Sequence, residues 1–461
     1  MKKKKPNITL SNKIYSKAKK IIPAGSQTFS KGVTQFVEGF APKYLHRGKG
    51  AYTWDVDKNK YLDYVMGCQP IILGYADPDV NKAVVKQLEL GSTFSLMNKL
   101  EVDVTELLID KIPCAESARF GKNGADVTTI AVRVARAVTG RDHIAYCGYH
   151  GWHDWYIANT DLNSGIPKFN QKLAHSFNYN DLDSLEKIFK KQPDKVACVI
   201  MEPLTILEPK CYGPKNCKKR VCKKFCQKNF LSEVKKMAHH YGALLIFDEI
   251  ITGFRFSLGG AQELTNVTPD LATFAKAISN AIPLSAVVGK KEYMSVLSKT
   301  FFSFTYGGDC IGLAAAKACI PKLEREDVAG HLNIVGTKLK DEFNQLAKNH
   351  GLQEFIECIG YPCRSIISFN GQKKYIDLEI KSFFQQELIR RGILWAAYHA
   401  LSWSHKDKDI KKTLIAYDEV MGLFKHIIDN NLNLRNMIEG TPVKPVFRKV
   451  ADFNSYTRKN N

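Results

Sequence analysis

Ala243-Leu244-Leu245-Ile246-Phe247-Asp248 is a run of five apolar residues ending in a carboxylate. It is too short for a helix and is bounded by Gly242 and by a second acid, Glu249, so it reads as a buried strand. Two runs upstream have the same character, His143–Tyr149 and Val196–Glu202. Helical periodicity fills the intervals at 125–139, 180–190 and 230–241. Strands that alternate with helices predict an α/β fold, with a mostly parallel sheet covered on both faces. A fourth short run, Leu271–Ala275, ends just before Lys276.

Outward from this centre the pattern loosens. Residues 11–20 read as a helix carrying Ile14 and Ala18 among lysines, and 51–65 alternate about Asp57–Asn59 as a hairpin does. Residues 78–91 and 101–112 look helical. After residue 325 the chain turns to helices at 334–349, 381–391 and 408–428, with few strands. The expected organisation is an N-terminal segment, 1–75, that joins a C-terminal small domain, 326–461. Between them lies a large domain, 76–325, interrupted at 205–230 by a Lys/Cys-rich insertion.

The chain has 461 residues, of which 44% are hydrophobic and 25% charged, an ordinary globular composition. No apolar run approaches the roughly 18–20 residues that span a bilayer. The basic start, Met1–Pro6, has no apolar segment after it, so a cytoplasmic protein is expected. The 67 basic and 46 acidic residues give a net charge of +21. That excess is spread along the chain as a solvated surface, and no nucleic-acid motif accompanies it, so nucleic acid is a remote alternative partner. The twelve cysteines show no secreted disulfide framework.

Open parallel sheets bind ligands at the carboxyl ends of their strands. The four runs deliver Tyr149-His150-Gly151, Glu202-Pro203, Asp248-Glu249 and Lys276 to that edge. Asn123-Gly124-Ala125-Asp126 precedes a helical stretch, where backbone N–H groups can meet a phosphate; a plain capping turn is the alternative. A buried lysine near an acid suits Schiff-base chemistry, because burial favours the neutral, attacking amine. An aspartate facing a pyridine nitrogen keeps that nitrogen protonated.

Asp248-Glu249-Ile250-Ile251-Thr252-Gly253-Phe254-Arg255, with Lys276 28 positions after Asp248, resembles the signature of class III pyridoxal-phosphate aminotransferases, in particular the glutamate-1-semialdehyde 2,1-aminomutase branch. Ile22-Pro23-Ala24-Gly25, Trp54-Asp55-Val56-Asp57 and Leu73-Gly74-Tyr75-Ala76-Asp77-Pro78 extend the resemblance over most of the chain. It implies fold type I, with a seven-stranded large domain and a smaller α+β domain built from both chain ends. It also implies a homodimer with shared active sites, acting on a small-molecule amino donor and acceptor.

By position, the resemblance makes Lys276 and Asp248 catalytic, the first holding the cofactor and the second pairing with its ring nitrogen. Gly124 and Ala125 would hold the phosphate by backbone N–H, and Tyr149 would stack on the ring with His150 beside it. Glu202 would border the cofactor and Ile250 would pack behind it. Thr305, in Thr305-Tyr306-Gly307-Gly308, would reach the neighbouring subunit's phosphate.

The chain departs from the family mainly on the substrate side. Lys31 stands where the aminomutase has a carboxylate-binding arginine and lacks its bidentate fork. Ala397 or a neighbour replaces a glutamate, and Cys68 replaces a tryptophan. On the cofactor side, Ala125 replaces a hydroxyl-bearing threonine. Transamination of an aldehyde or ketone is therefore expected, with intramolecular amino transfer as the alternative. Phe301–Thr305 and Pro442–Arg448 resemble aminotransferases of surface-sugar biosynthesis. Cys211, Cys217, Cys222 and Cys226, spaced by five, four and three residues, are a candidate structural zinc site. Free thiols on a basic loop are the alternative, since no CxxC pair is present.

Overall fold

The computed structural model describes residues 4–213, 225–372 and 374–445. The described residues divide into two compact units, one formed by those up to 77 and those from 330 on, the other by those between 78 and 329.

The first unit begins with the helix Thr9–Ile21 and the strands β1 (Leu45–Lys49), β2 (Tyr52–Asp55) and β3 (Lys60–Asp63). β2 and β3 form the expected hairpin; Asp55 closes its turn by accepting from Asn59 N at 2.8 Å and Asn59 Nδ2 at 2.7 Å.

The second unit holds β4 (Ser117–Gly121), β5 (His143–Cys147), β6 (Ala174–Ser176), β7 (Val196–Met201), β8 (Leu244–Asp248), β9 (Leu271–Phe274) and β10 (Ser285–Gly289). They form one sheet in the order β4-β10-β9-β8-β7-β5-β6. Strands β6, β5, β7, β8 and β9 are mutually parallel, and β10 runs antiparallel to both its neighbours. Three of the four apolar runs leave the ladder one or two residues early, at Cys147, Met201 and Phe274, and the fourth ends at Asp248 as read. All six residues of β7 are buried, as a strand covered on both faces requires. The helix Gly124–Thr139 packs on the sheet through Val127, Ile130, Ala131 and Val134, and Gly140 stops it in the left-handed conformation at φ 68°. The edge strands β4 and β6, and the inner strand β10, escaped the sequence reading because each is short and only weakly apolar.

The first unit resumes after the second with the helix Val328–Asn349, then β11 (Ile356–Tyr361), β12 (Arg364–Phe369), β13 (Ile393–Leu394) and β14 (Tyr398–Ala400). β13 joins β3 in parallel, giving the sheet β1-β2-β3-β13; β11, β12 and β14 form a second, antiparallel sheet. The helices Asp377–Arg390 and Asp407–Asp429 complete the unit.

The first unit encloses a polar chain: His399 Nδ1 lies 2.8 Å from Ser365 Oγ and Nε2 lies 2.7 Å from Tyr417 Oη, with all three side chains fully buried. Burial, and secondarily the neighbouring His405, lowers the His399 pKa to about 3, against about 6.5 in an unfolded chain. Between these values the unfolded state takes up a proton that the native state refuses. Stability is therefore complete above pH 6.5 and lost as the pH falls toward 3. This site alone is expected to cost about 2 kcal/mol at pH 5. Denaturant midpoints measured from pH 7 to 4.5 should fall steeply in the wild type and less in His399→Gln; parallel profiles would contradict the assignment.

Candidate active site

The register of the parallel strands sets the site. Cys147 pairs with Met201, Met201 with Phe247, and Asp248 with Thr273, so the strands end together. The residues just beyond, Tyr149, Glu202, Asp248 and Lys276, therefore emerge at one edge of the sheet. Glu202 ties two ends directly: its Oε1 accepts from Tyr149 N at 3.1 Å, and its backbone N–H donates to Cys147 O at 3.1 Å.

Asp248 is 3% exposed, and its carboxylate is held from several sides. Oδ1 accepts from Ile250 N at 3.1 Å and Thr273 Oγ1 at 3.4 Å, while Oδ2 lies 2.8 Å from His150 Nδ1. His150 is 1% exposed and walled by Trp155, Tyr156 and Tyr146, with ring centroids at 6.1, 5.6 and 6.4 Å. Its Nε2 is buried without a hydrogen-bond partner among the described residues. That favours the tautomer in which Nδ1 carries the proton and donates to Asp248. The resemblance set His150 beside the ring; the structure binds it to Asp248 and fixes its carbonyl through Thr128 Oγ1 at 2.8 Å. Sequence reasoning passed over Thr128, Thr273 and the wall residues Trp155 and Tyr156. The aromatic run Trp152–Tyr156 was the one available signal.

Glu249 takes no part in this edge. Fully buried, it accepts from the backbone N–H groups of Ala261 at 2.8 Å and Gln262 at 3.0 Å and from the Thr252 hydroxyl. Burial raises its pKa, which these hydrogen bonds counter. The Asp248-Glu249 pair thus divides between the strand-end edge and support of the segment after Gly260.

The helix Gly124–Thr139 starts at the same edge. Asp126 turns its carboxylate back onto the N–H groups of Lys122 at 3.0 Å and Asn123 at 2.7 Å, which is the capping alternative realised. Gly124 and Ala125 occupy the first helical turn, whose N–H groups have no intrahelical acceptor. Neither Gly124 nor Gly151 has room for a side chain: a Cβ at Gly124 would meet Ile250 Cδ1 at 2.6 Å, and one at Gly151 would meet the Ala125 Cβ at 2.7 Å. The backbone cradle, Ile250 and the Tyr149–Gly151 turn are thereby brought together. An amine, an anchored carboxylate and a backbone anion cradle fit the aldehyde, pyridine nitrogen and phosphate of pyridoxal phosphate.

Lys276 is half-buried at the start of the turn Lys276–Ser279, just beyond β9. Its backbone is left-handed at φ 48°, a conformation that costs a non-glycine residue about 1–2 kcal/mol. Thr305 is exposed in the loop ahead of the helix Cys310–Arg325. Lys31 is exposed on the short turn Phe29–Lys31 of the first unit. Of the zinc candidates, Cys211 sits at the base of the insertion, bridged to Asn229, and Cys226 is nearby; Cys217 and Cys222 lie outside the described residues. No group of three or more metal-ligating side chains assembles among the described residues. No helix there is long and apolar enough to cross a membrane.

Fold and site together define a pyridoxal-phosphate-dependent transferase of fold type I. Residues 38–361 match the aminotransferase class-III family, and the chain belongs to it. It is 35% identical over 428 residues to a 3-aminobutyryl-CoA aminotransferase of Cloacimonas acidaminovorans, covering 92% of this chain and 99% of that protein. It is 31% identical over 450 residues to a glutamate-1-semialdehyde 2,1-aminomutase of Wigglesworthia glossinidia brevipalpis, covering 91% and 99%. In fold it resembles an omega-transaminase from Sphaerobacter thermophilus, with a TM-score of 0.77 and 24% identity over 89% of this chain and 97% of that one.

Proposed function

We propose that this enzyme passes an amino group from one small molecule to a separate aldehyde or ketone, as a transaminase, and does so as a homodimer. The observation that carries the reading is Asp248, fixed by His150, Thr273 and Ile250 N beside the strand that leads to Lys276. Pyridoxal phosphate, when bound, supplies the aldehyde that takes the amino group and a ring that withdraws electrons. Lys276 holds the cofactor and then moves the proton on and off the substrate carbon. Asp248 keeps the pyridine nitrogen protonated, and the His150 Nδ1–H keeps Asp248 in place. Gly124 and Ala125 offer N–H groups to the phosphate, and Tyr149 covers the ring, its backbone held by Glu202. Thr305 completes the phosphate contacts of the partner subunit.

Lys31, Cys68 and Ala397 support intermolecular transfer, since each departs from the aminomutase on the substrate side. Likeness to an aminotransferase named for a 3-aminoacyl thioester supports an amino group carried beyond the α-carbon. The test is a half-reaction screen of the purified holoenzyme. One donor should yield one equivalent of oxo product per site, and sustained turnover should require an added acceptor. Efficient conversion of glutamate-1-semialdehyde to 5-aminolevulinate without an acceptor would establish the mutase in its place.

A further inference from the structure

The loop that carries Thr305 is held by side chains that the amino-transfer chemistry does not use. It runs from Phe301 to Asp309, between the turn Ser295–Ser298 and the helix Cys310–Arg325. Phe302 packs against the core of the second unit. Two turns shape the tip, with Gly307 N donating to Phe304 O at 3.0 Å and Asp309 N to Tyr306 O at 3.3 Å. Phe304, Thr305 and Tyr306 are left exposed.

Both ends of this loop are fastened to one stretch of chain. Arg119, on β4, donates from Nη2 to Phe302 O at 2.7 Å, and its guanidinium lies 5.9 Å from the centre of the Phe302 ring. Arg133, on the helix Gly124–Thr139, donates from Nη1 to Phe301 O at 3.0 Å. Lys122 lies between them in sequence. Its Nζ donates to Asp309 Oδ2 at 2.5 Å and to Pro283 O at 3.2 Å. Asp309 also accepts from Gly312 N at 3.2 Å, capping the helix that follows. The side chains of Lys122 and Asp309 are only 18% and 17% exposed, so their attraction is less screened than that of a surface pair. The same stretch, 119–133, contains the phosphate cradle Gly124–Ala125.

The two arginines are exposed, and neither has a carboxylate partner among the described residues. A guanidinium fork suits a carboxylate or phosphate better than a carbonyl. Its use on two successive loop carbonyls points to placement of the loop rather than to charge pairing. We infer that Arg119, Arg133 and Lys122 are positioning residues that act across the dimer, each chain's clasp fixing its own Thr305 for the partner's cofactor. A loop fixed in advance loses less freedom on binding, so the phosphate is held longer. The inference rests on the proposed role of Thr305 and extends it. If these charges served instead to attract phosphate to their own chain's cradle, the opposite site of the dimer would feel their loss.

The test uses holoenzyme dimers assembled from two differently tagged full-length chains. After dilution, borohydride added at intervals fixes the remaining cofactor, and peptide mapping gives the fraction still on Lys276. Arg119→Gln with Arg133→Gln in both chains should release cofactor about tenfold faster than the wild type. Arg119→Lys with Arg133→Lys should recover part of that difference, since lysine still donates to a carbonyl. Pairing the double Gln chain with a Lys276→Ala chain leaves one Lys276, served by an intact loop, and release should return to the wild-type rate. Placing the Gln pair and Lys276→Ala in one chain, opposite a wild-type chain, should give fast release. Fast release in the first mixed dimer, or a wild-type rate in the second or in the double-variant homodimer, would overturn the clasp. Thr305→Ala, taken through the same series, separates the two readings. No effect of Thr305→Ala would remove the role of Thr305 and the clasp with it. A Thr305→Ala effect across the dimer that the arginine variants do not share would remove the clasp alone. Should the double variant fail to fold or to dimerise, Arg133→Gln alone, at an exposed helix position, carries the same comparison with an effect of about threefold.

Discussion

Replacing Lys276 by alanine is expected to take turnover below detection while the fold survives. The residue opens the turn beyond β9 and is itself half-buried, while Ala277, Ile278 and Ser279 carry the buried side of that turn, so truncation at Lys276 leaves no sealed core cavity. Alanine inherits the same left-handed backbone, so the strain at φ 48° neither rises nor disappears. What is lost is the amine that holds the cofactor and carries the proton. Borohydride treatment of the native enzyme should fix the cofactor to Lys276, and peptide mapping should find it nowhere in the variant. A reduced adduct on another lysine of the native chain would remove Lys276 from its role.

Asp248→Asn should slow proton abstraction by about 10²–10⁴, with the loss in the chemical step and not in binding. The amide keeps an acceptor for Ile250 N and Thr273 Oγ1 but no longer stabilises a protonated pyridine nitrogen. A second effect follows from His150. The new amide group faces Nδ1–H, two donors in opposition. The ring can answer by moving its proton to Nε2, which has no acceptor within its aromatic walls. Either arrangement leaves a buried donor unpaired, so the variant should also lose about 1–3 kcal/mol of stability. Single-turnover kinetics and denaturation check the two effects separately, and an unchanged chemical rate would count against a pyridine-facing Asp248.

The strand ends were legible because the central strands are buried on both faces and therefore appear as continuous apolar runs. Where such a run stops, the next polar residue stands at the sheet edge, which is how Tyr149, Glu202, Asp248 and Lys276 could be grouped before any coordinates. The edge strands β4 and β6 and the short strand β10 have no such contrast. The partners of Asp248 were hidden for a different reason. His150 and Thr273 lie 98 and 25 positions from it, and their hydrogen bonds arise from register, which composition does not record.

The first unit is made from the two ends of the chain, and this imposes a delay during synthesis. Val37 N waits for Gln385 Oε1, 348 positions later, and the edge of β3 waits for β13. Residues 78–329, about 250 of them, emerge from the ribosome first. At 5–20 residues per second that interval is roughly 10–50 s. Throughout it the β1-β2-β3 meander has an open edge and an uncovered apolar face, and by its end the second unit has all its strands. The nascent N-terminal 77 residues are thus the part of this enzyme that most needs a holding chaperone, and truncation before residue 393 should leave them without their last strand.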